Sequence, residues 1–389
     1  MISRKSKRIK SFIAMDILEL AKQMEKAGED VISLSIGEPD FPPPESAKKA
    51  CIQAIEDGVT KYTHSQGLIE LREEICIHYK KKYGVKIDPE QILVTSGSSP
   101  AFSLTFAALL NPGDKVILPD PHYACYPSFI EFLDAKCTFI RVKEKDRFHY
   151  NAEEVKKKID SKTKAILVNS PGNPTGYLIP DETFEKISKL KPYLVSDEIY
   201  HGLVYNQRER CALEFTDRAF VINGFSKAYS MTGFRLGYVI APKKFIRPMQ
   251  KIQQNFYISV NPFVQMAGIA ALRHGEKDVE RMRNIFAERR AVALQALAKI
   301  GLKPLTEPEG AFYIFVNIRH ITKDSNAFAF DCLRKAKVGI TPGIDFGKGG
   351  EGYIRISYAN SIPNIEEGIR RLGKYIHSLR PSRKGSRNV

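Results

Sequence analysis

AFVINGFSKAYSMTGFRLGYVIAP, residues 219 to 242, holds two apolar runs around a polar, glycine-bearing loop. AFVINGF (219–225) is almost continuously apolar, the pattern of a short strand buried on both faces, and GYVIAP (237–242) repeats it. Lys227 then stands at a strand end rather than on a solvated helix face, with Ser226 before it and Arg235 eight residues on. A lysine held at such a point can form a Schiff base with a carbonyl compound, and a nearby guanidinium offers a planar fork to an oxyanion. With 60 Lys and Arg in 389 residues, Lys227 taken alone reads far more simply as an ordinary solvated side chain. Its meaning depends on what surrounds it.

Outward from this stretch, strand-like and helix-like segments alternate: 91–97, 115–119, 137–142, 164–170 and 193–200 read as strands, with a helix over 99–110. Short β-branched runs separated by helices predict an α/β fold, a mostly parallel central sheet sandwiched by helices. From about Lys244 the pattern changes to long helical stretches, one over 276–300, then strands at 311–317 and 352–358 and a last helix over 365–379. That second part predicts a smaller α+β domain. The N-terminal segment, with a helix over 17–27 and the strand VISLS, is expected to pack on it. The resulting division is 1–45 as N-terminal arm and part of the small domain, 46–280 as the large α/β domain, and 281–389 as the rest of the small one.

Composition narrows the function. A chain 43% hydrophobic can bury a large core. It has no apolar run of the roughly 18 residues a membrane span needs, so it reads as a cytoplasmic protein with no membrane partner. The six cysteines show no Cys-x-x-Cys pair and no metal-ligand spacing, so reduced thiols and no metal are expected. The net charge of +16 raises nucleic acid as a partner. Nine of the cations, however, lie in two acid-free ends: Arg4, Lys5, Lys7, Arg8 and Lys10, then Arg380, Arg383, Lys384 and Arg387. Basic chain ends are ordinarily solvated, and the reading is of no nucleic-acid partner. Part of the remaining excess fits anionic ligands.

Several expected strand ends carry polar or glycine-rich sequence, where open α/β sheets place ligands. Gly97-Ser98-Ser99 closes one strand and opens a helix, so free N–H groups, hydroxyls and the helix dipole can face one anion; the same serines also fit a plain N-cap. NSPGNPTG (169–176) is a rigid loop able to aim Asn173 at a ligand, or simply a strand-to-helix turn. Asp197, at the end of the apolar run before Glu198, is costly to bury unless it meets a cation, and Tyr200 adds a phenol three residues on.

The order Gly-Ser-Ser, Asn173, Asp197 with Tyr200, Ser226-Lys227, Arg235 resembles the fold type I pyridoxal-phosphate enzymes, specifically the class I/II, aspartate aminotransferase-like family. GEPDF (37–41), KYTHSQG (61–67), LNPGDKVILPDPHYACY (110–126), PEGAFY (308–313) and YIRISYA (353–359) are similar to that family's signatures as well. The resemblance runs from about Ile32 to the last helix. It implies a pyridoxal 5'-phosphate cofactor, held by Lys227 as an aldimine, and a ping-pong aminotransferase of amino acid metabolism that moves an amino group from an L-amino acid to a 2-oxo acid such as 2-oxoglutarate.

Residue by residue, the resemblance makes Lys227 the proton carrier and sets Asp197 beside the pyridine nitrogen, whose protonated form it favours. Tyr200 and Asn173 would bond the ring's phenolic oxygen and Tyr123 stack on its face. Arg235, Ser226 and the N–H groups around Gly97, Ser98 and Ser99 would bind the phosphate. Arg355 and Gly37 would receive the substrate carboxylate. Tyr62 would reach the phosphate of a second subunit, which implies a homodimer with shared active sites. Cis peptides are expected before Pro121 and Pro174. The side-chain pocket would be lined by 12–18, by Ile36 and by partner residues near 257–261.

Two positions depart from the family pattern. Gly224 replaces a common Ser or Thr, so one phosphate hydroxyl is missing or replaced by water, and Tyr123 replaces a common Trp or Phe. Two alternatives stay open: a cofactor-dependent C–S β-lyase, since the same electron sink can expel a β-substituent, and a DNA-binding regulator on the same fold. The intact set of Lys227, Asp197, Asn173, Arg235 and Arg355 argues against the regulator.

Overall fold

The computed structural model describes residues 2–379; the cations of the C-terminal end, Arg380 onward, lie outside them. The central sheet has seven strands: β1 Ile92–Thr95, β2 Lys115–Asp120, β3 Lys136–Arg141, β4 Thr163–Asn169, β5 Tyr193–Asp197, β6 Ala219–Gly224 and β7 Gly237–Ile240. Their order is β1-β7-β6-β5-β4-β2-β3. All pairings are parallel except those of β7, which runs against both β6 and β1. The mostly parallel α/β sheet is therefore as expected. Its inner strands are largely apolar because helices cover both faces: β1, β6 and β7 are buried at every residue, whereas the edge strand β3 exposes Lys136, Phe139 and Arg141.

Strand ends differ from the sequence reading where a polar side chain intervenes. The strand expected over 193–200 stops at Asp197, because Asp197 Oδ1 accepts the Ile199 N–H at 3.1 Å and turns the chain out of the sheet. The two expected cis peptides are present, at Asp120–Pro121 and Asn173–Pro174, with an unexpected third at Ser170–Pro171.

C-terminal to the sheet, β8 Tyr313–Asn317, β9 Thr341–Pro342 and β10 Tyr353–Ser357 form an antiparallel sheet in the order β9-β10-β8. The N-terminal segment packs here. Ile32–Ser33 pairs in parallel with Val338–Gly339, and helix α1, Ile13–Lys26, buries Ile17, Ala21 and Met24 in one cluster with Ile314, Val316, Ile354, Ile356 and Leu372. The spacing i, i+4, i+7 puts those three on one helix face. Burying each large aliphatic side chain is worth about 1.5–3 kcal/mol.

Helix α1 begins four residues before the expected Ile17, for a reason outside its own sequence. Phe12 at the N-cap position offers no capping oxygen. Asp345, on the turn after β9, supplies one from afar: its carboxylate accepts the N–H of Ile13 at 3.0 Å and of Ala14 at 3.1 Å. A cap of this kind is worth about 0.5–2 kcal/mol.

Candidate active site

The C-terminal ends of β1, β4, β5 and β6 lie along one edge of the sheet, and β7, running the other way, starts at that edge. The reversal is what delivers Arg235, two residues before β7, to the place where β6 delivers Ser226 and Lys227. Across the edge lies a cavity of about 510 Å³ lined by Ser98, Ser99, Tyr123, Asn173, Asp197 and Tyr200, by Ser226, Lys227 and Arg235, and by Gly37 and Arg355. That volume lies within the range of about 300–1,000 Å³ usual for cofactor and ligand sites.

Gly97 lies just behind the wall. Its φ of +94° suits glycine, and a Cβ there would sit 2.5 Å from the Arg235 guanidinium. Helix α2, Ser98–Leu109, has no side-chain N-cap, so its first N–H groups and positive dipole end are left for an anion, with Arg235 beside them. Gly224 meets a packing demand: it lies opposite Gly237 across β6 and β7, and a Cβ would come within 2.9 Å of the Leu236 carbonyl. Ser or Thr at this position would crowd that crossing. Tyr62 stands apart; it does not line the cavity and is 86% exposed.

Asp197 is buried, and both its oxygens are engaged: Oδ2 accepts from the Tyr126 hydroxyl at 2.5 Å and Oδ1 from the Ile199 N–H. Burial raises its pKa to about 6, against the opposing pull of these two bonds and of Lys227. Lys227 Nζ donates to the Gly37 carbonyl at 2.6 Å. Burial lowers its pKa to about 8; Glu38 opposes the shift, while Arg355 and Arg235 add to it. The Tyr200 hydroxyl lies 3.5 Å from Asn173 Nδ2 and 2.8 Å from the Tyr313 hydroxyl.

Arg355 is 2% exposed and held on three sides. Nη1 donates to Asn173 Oδ1 at 2.8 Å, Nη2 to the Ser35 carbonyl at 2.6 Å and to Thr341 Oγ1 at 3.2 Å. Its Cζ lies 4.3 Å from the Tyr313 ring and 5.0 Å from that of Phe346. Nε has no partner. Among the described residues no carboxylate pairs with Arg355, Arg235 or Lys227 within 4.0 Å, although 27 other ion pairs form.

These groups fit pyridoxal 5'-phosphate: an amine of lowered pKa for the aldehyde, a buried carboxylate to accept the ring N–H, phenol and amide for the ring oxygen, and an uncapped helix end with a guanidinium for the phosphate. Arg355, which lines the cavity without a carboxylate partner among the described residues, leaves a positive charge for a further anion.

Tyr126, Tyr313, Asn169, Glu38 and Thr232 carry part of the same arrangement without having been singled out in the sequence. Tyr126 and Tyr313 close two of the quoted motifs, yet neither spacing nor residue type shows that one reaches Asp197 and the other Tyr200 and Arg355. Asn169 supports the Asn173 loop, donating to the Asp197 carbonyl at 3.0 Å and accepting the Asn173 N–H at 2.7 Å.

The "Aminotransferase class I and II" family model matches residues 29–372. The (5-formylfuran-3-yl)methyl phosphate transaminase of Methanocaldococcus jannaschii is 40% identical over 97% of this chain and 100% of its own length. The aspartate aminotransferase of Pyrococcus horikoshii is 38% identical, over 92% and 93%. Among solved structures, Thermus thermophilus aspartate aminotransferase with maleate superposes with a TM-score of 0.92 at 33% identity, over 96% of this chain and 99% of that one. A Methanococcus jannaschii protein described as similar in its active site to kynurenine aminotransferases gives 0.90 at 40%, over 97% and 100%.

Proposed function

Since the chain belongs to the class I and II aminotransferases, which are pyridoxal-phosphate enzymes, we propose that it moves the amino group of an L-amino acid to a 2-oxo acid in two half-reactions run in one cavity. The observation that carries this reading is the trio Lys227, Arg235 and Arg355, converging on one cavity around Asp197 with no ion-pair partner among the described residues. Charges left unpaired at a partly desolvated site are costly, and ligand anions relieve the cost.

Bound, the cofactor supplies an aldehyde that takes up amines and a protonated ring that withdraws electrons from the adjoining carbon. Lys227 Nζ would hold that aldehyde and, when freed from it, would carry the proton from the substrate α-carbon; burial lowers its pKa to about 8, which favours the neutral amine that both tasks need. Asp197, fixed by Tyr126, stabilises the proton on the ring nitrogen. Asn173 and Tyr200 would bond the ring oxygen, Tyr123 would cover the ring, and Gly97, Ser98, Ser99, Ser226 and Arg235 would hold the phosphate. Arg355 orients the substrate α-carboxylate, with Gly37 at its side. In this reading 46–280 form the cofactor-binding domain, 1–45 and 281–389 the smaller one, and Tyr62 completes the phosphate site of a second copy in a homodimer. The acceptor is a 2-oxo acid, with 2-oxoglutarate to be tested beside pyruvate.

Purified protein should show a visible cofactor absorbance that an amino acid bleaches and a 2-oxo acid restores. Borohydride should fix the cofactor to Lys227, as read by peptide mass. Lys227→Ala with intact turnover would overturn the proposal. Release of pyruvate and ammonia from a cysteine conjugate without any acceptor would move the assignment to the β-lyase.

A further inference from the structure

Beyond the cofactor groups, the cavity has a wall of a different kind. Phe12, Ala14, Met15 and Leu18 of the N-terminal segment line it together with Ile36 and Phe102. The i, i+1, i+4 set Ala14, Met15, Leu18 forms a stripe along α1 beside the Ile17–Ala21–Met24 face turned to the core. Among the described residues, every cation lining the cavity, Lys227, Arg235 and Arg355, already has a task in the proposed function. The acids lining the cavity are Asp197 and Glu38, and Glu38 accepts a hydrogen bond from Thr232. The partner segment expected near 257–261, YISVN, carries no cation. A second carboxylate on the substrate would thus meet apolar side chains and a like charge.

What fixes this wall is Asp345. Its carboxylate, from the turn after β9, is the cap that starts α1 at Ile13. The next residue, Phe346, lays its ring on the guanidinium of Arg355. One turn therefore ties the wall to the group that receives the α-carboxylate, at a set distance.

Resting on the aminotransfer reading, we propose that Asp345 is a positioning residue that holds the Phe12–Leu18 wall against the substrate side chain, and that the cavity so formed selects amino donors with bulky uncharged side chains over aspartate and glutamate. Alanine, whose methyl group is too short for the wall, is indifferent to it.

The test is the bleaching half-reaction of the holoenzyme with L-phenylalanine, L-leucine, L-alanine, L-aspartate and L-glutamate. The wild type should favour phenylalanine or leucine over both dicarboxylates by at least about tenfold in kcat/KM, the scale of a few methylenes in an apolar pocket. Asp345→Ala should raise KM for phenylalanine about tenfold while leaving that for alanine within about threefold. Asp345→Asn, which keeps one acceptor, should fall between. Amide exchange at 13–18, followed by mass spectrometry, should quicken in Asp345→Ala, and the cofactor absorbance should stay. Met15→Arg should raise kcat/KM for aspartate. Preference for aspartate in the wild type overturns the selectivity; equal KM changes for alanine and phenylalanine, or unchanged exchange at 13–18, overturn the role of Asp345. Failure of every donor to bleach the cofactor sinks the aminotransfer reading itself.

Discussion

At the scale of single residues, the site works by holding charged groups where water does not solvate them freely. Asp197 keeps a carboxylate in the interior through two hydrogen bonds, and the one from Tyr126 is the stronger candidate for test. A hydrogen bond to a charged group contributes about 1.5–3 kcal/mol. Tyr126→Phe should therefore lower kcat/KM roughly ten- to a hundredfold, read by steady-state kinetics, with Asp197 pushed further above its present value of about 6 in the cofactor-free protein. Lys227 gives a prediction of opposite sign in pH. Its neutral amine is the reactive form and its pKa is lowered to about 8, so the rate of cofactor attachment to cofactor-free protein should rise as pH passes through 8 and level off above it, as followed by stopped-flow absorbance. Lys227, Ser226 and Arg235 were legible in the sequence because one short stretch holds them all. Tyr126 and Tyr313 were not, since each meets its partner across 71 and 113 positions, a distance that periodicity does not bridge.

At the scale of elements, strands were legible wherever apolar runs were long enough, and the lost detail lies at their ends. Asp197 ends β5 with its own side chain, and Asp345 starts α1 from 332 positions away; a reading based on local propensity sees neither. The crossing of β7 behind Gly97 has little room. A Cβ on Gly237 would lie 2.6 Å from the Gly97 carbonyl carbon and 2.8 Å from the Ser98 nitrogen, so Gly237→Ala must push the start of α2 away from Arg235. We expect a destabilisation of about 1–3 kcal/mol from overpacking, measured by denaturant titration. Affinity for pyridoxal 5'-phosphate should fall at least tenfold, while that for pyridoxal, which lacks the anion, should change far less.

At the scale of the whole molecule, the cavity is built from segments that start near Phe12 and end near Arg355, and the N-terminal helix is structurally part of the C-terminal core. Tyr62, so exposed here, belongs to the reading in which a second copy completes the site; Tyr62→Phe should weaken cofactor binding roughly tenfold, the worth of one bond to a charged phosphate, with the sedimentation coefficient unchanged. The reversed strand β7 has one more consequence. A slip of a single residue between β6 and β7 would shift the guanidinium by about 3.3 Å and flip the flanking side chains to the opposite face, so a misthreaded ribbon has no grip on the vitamin-derived aldehyde. A ligand that binds only the correctly paired chain stabilises that pairing: pyridoxal 5'-phosphate present during renaturation should raise the recovered fraction of active chains above that obtained when it is added afterwards.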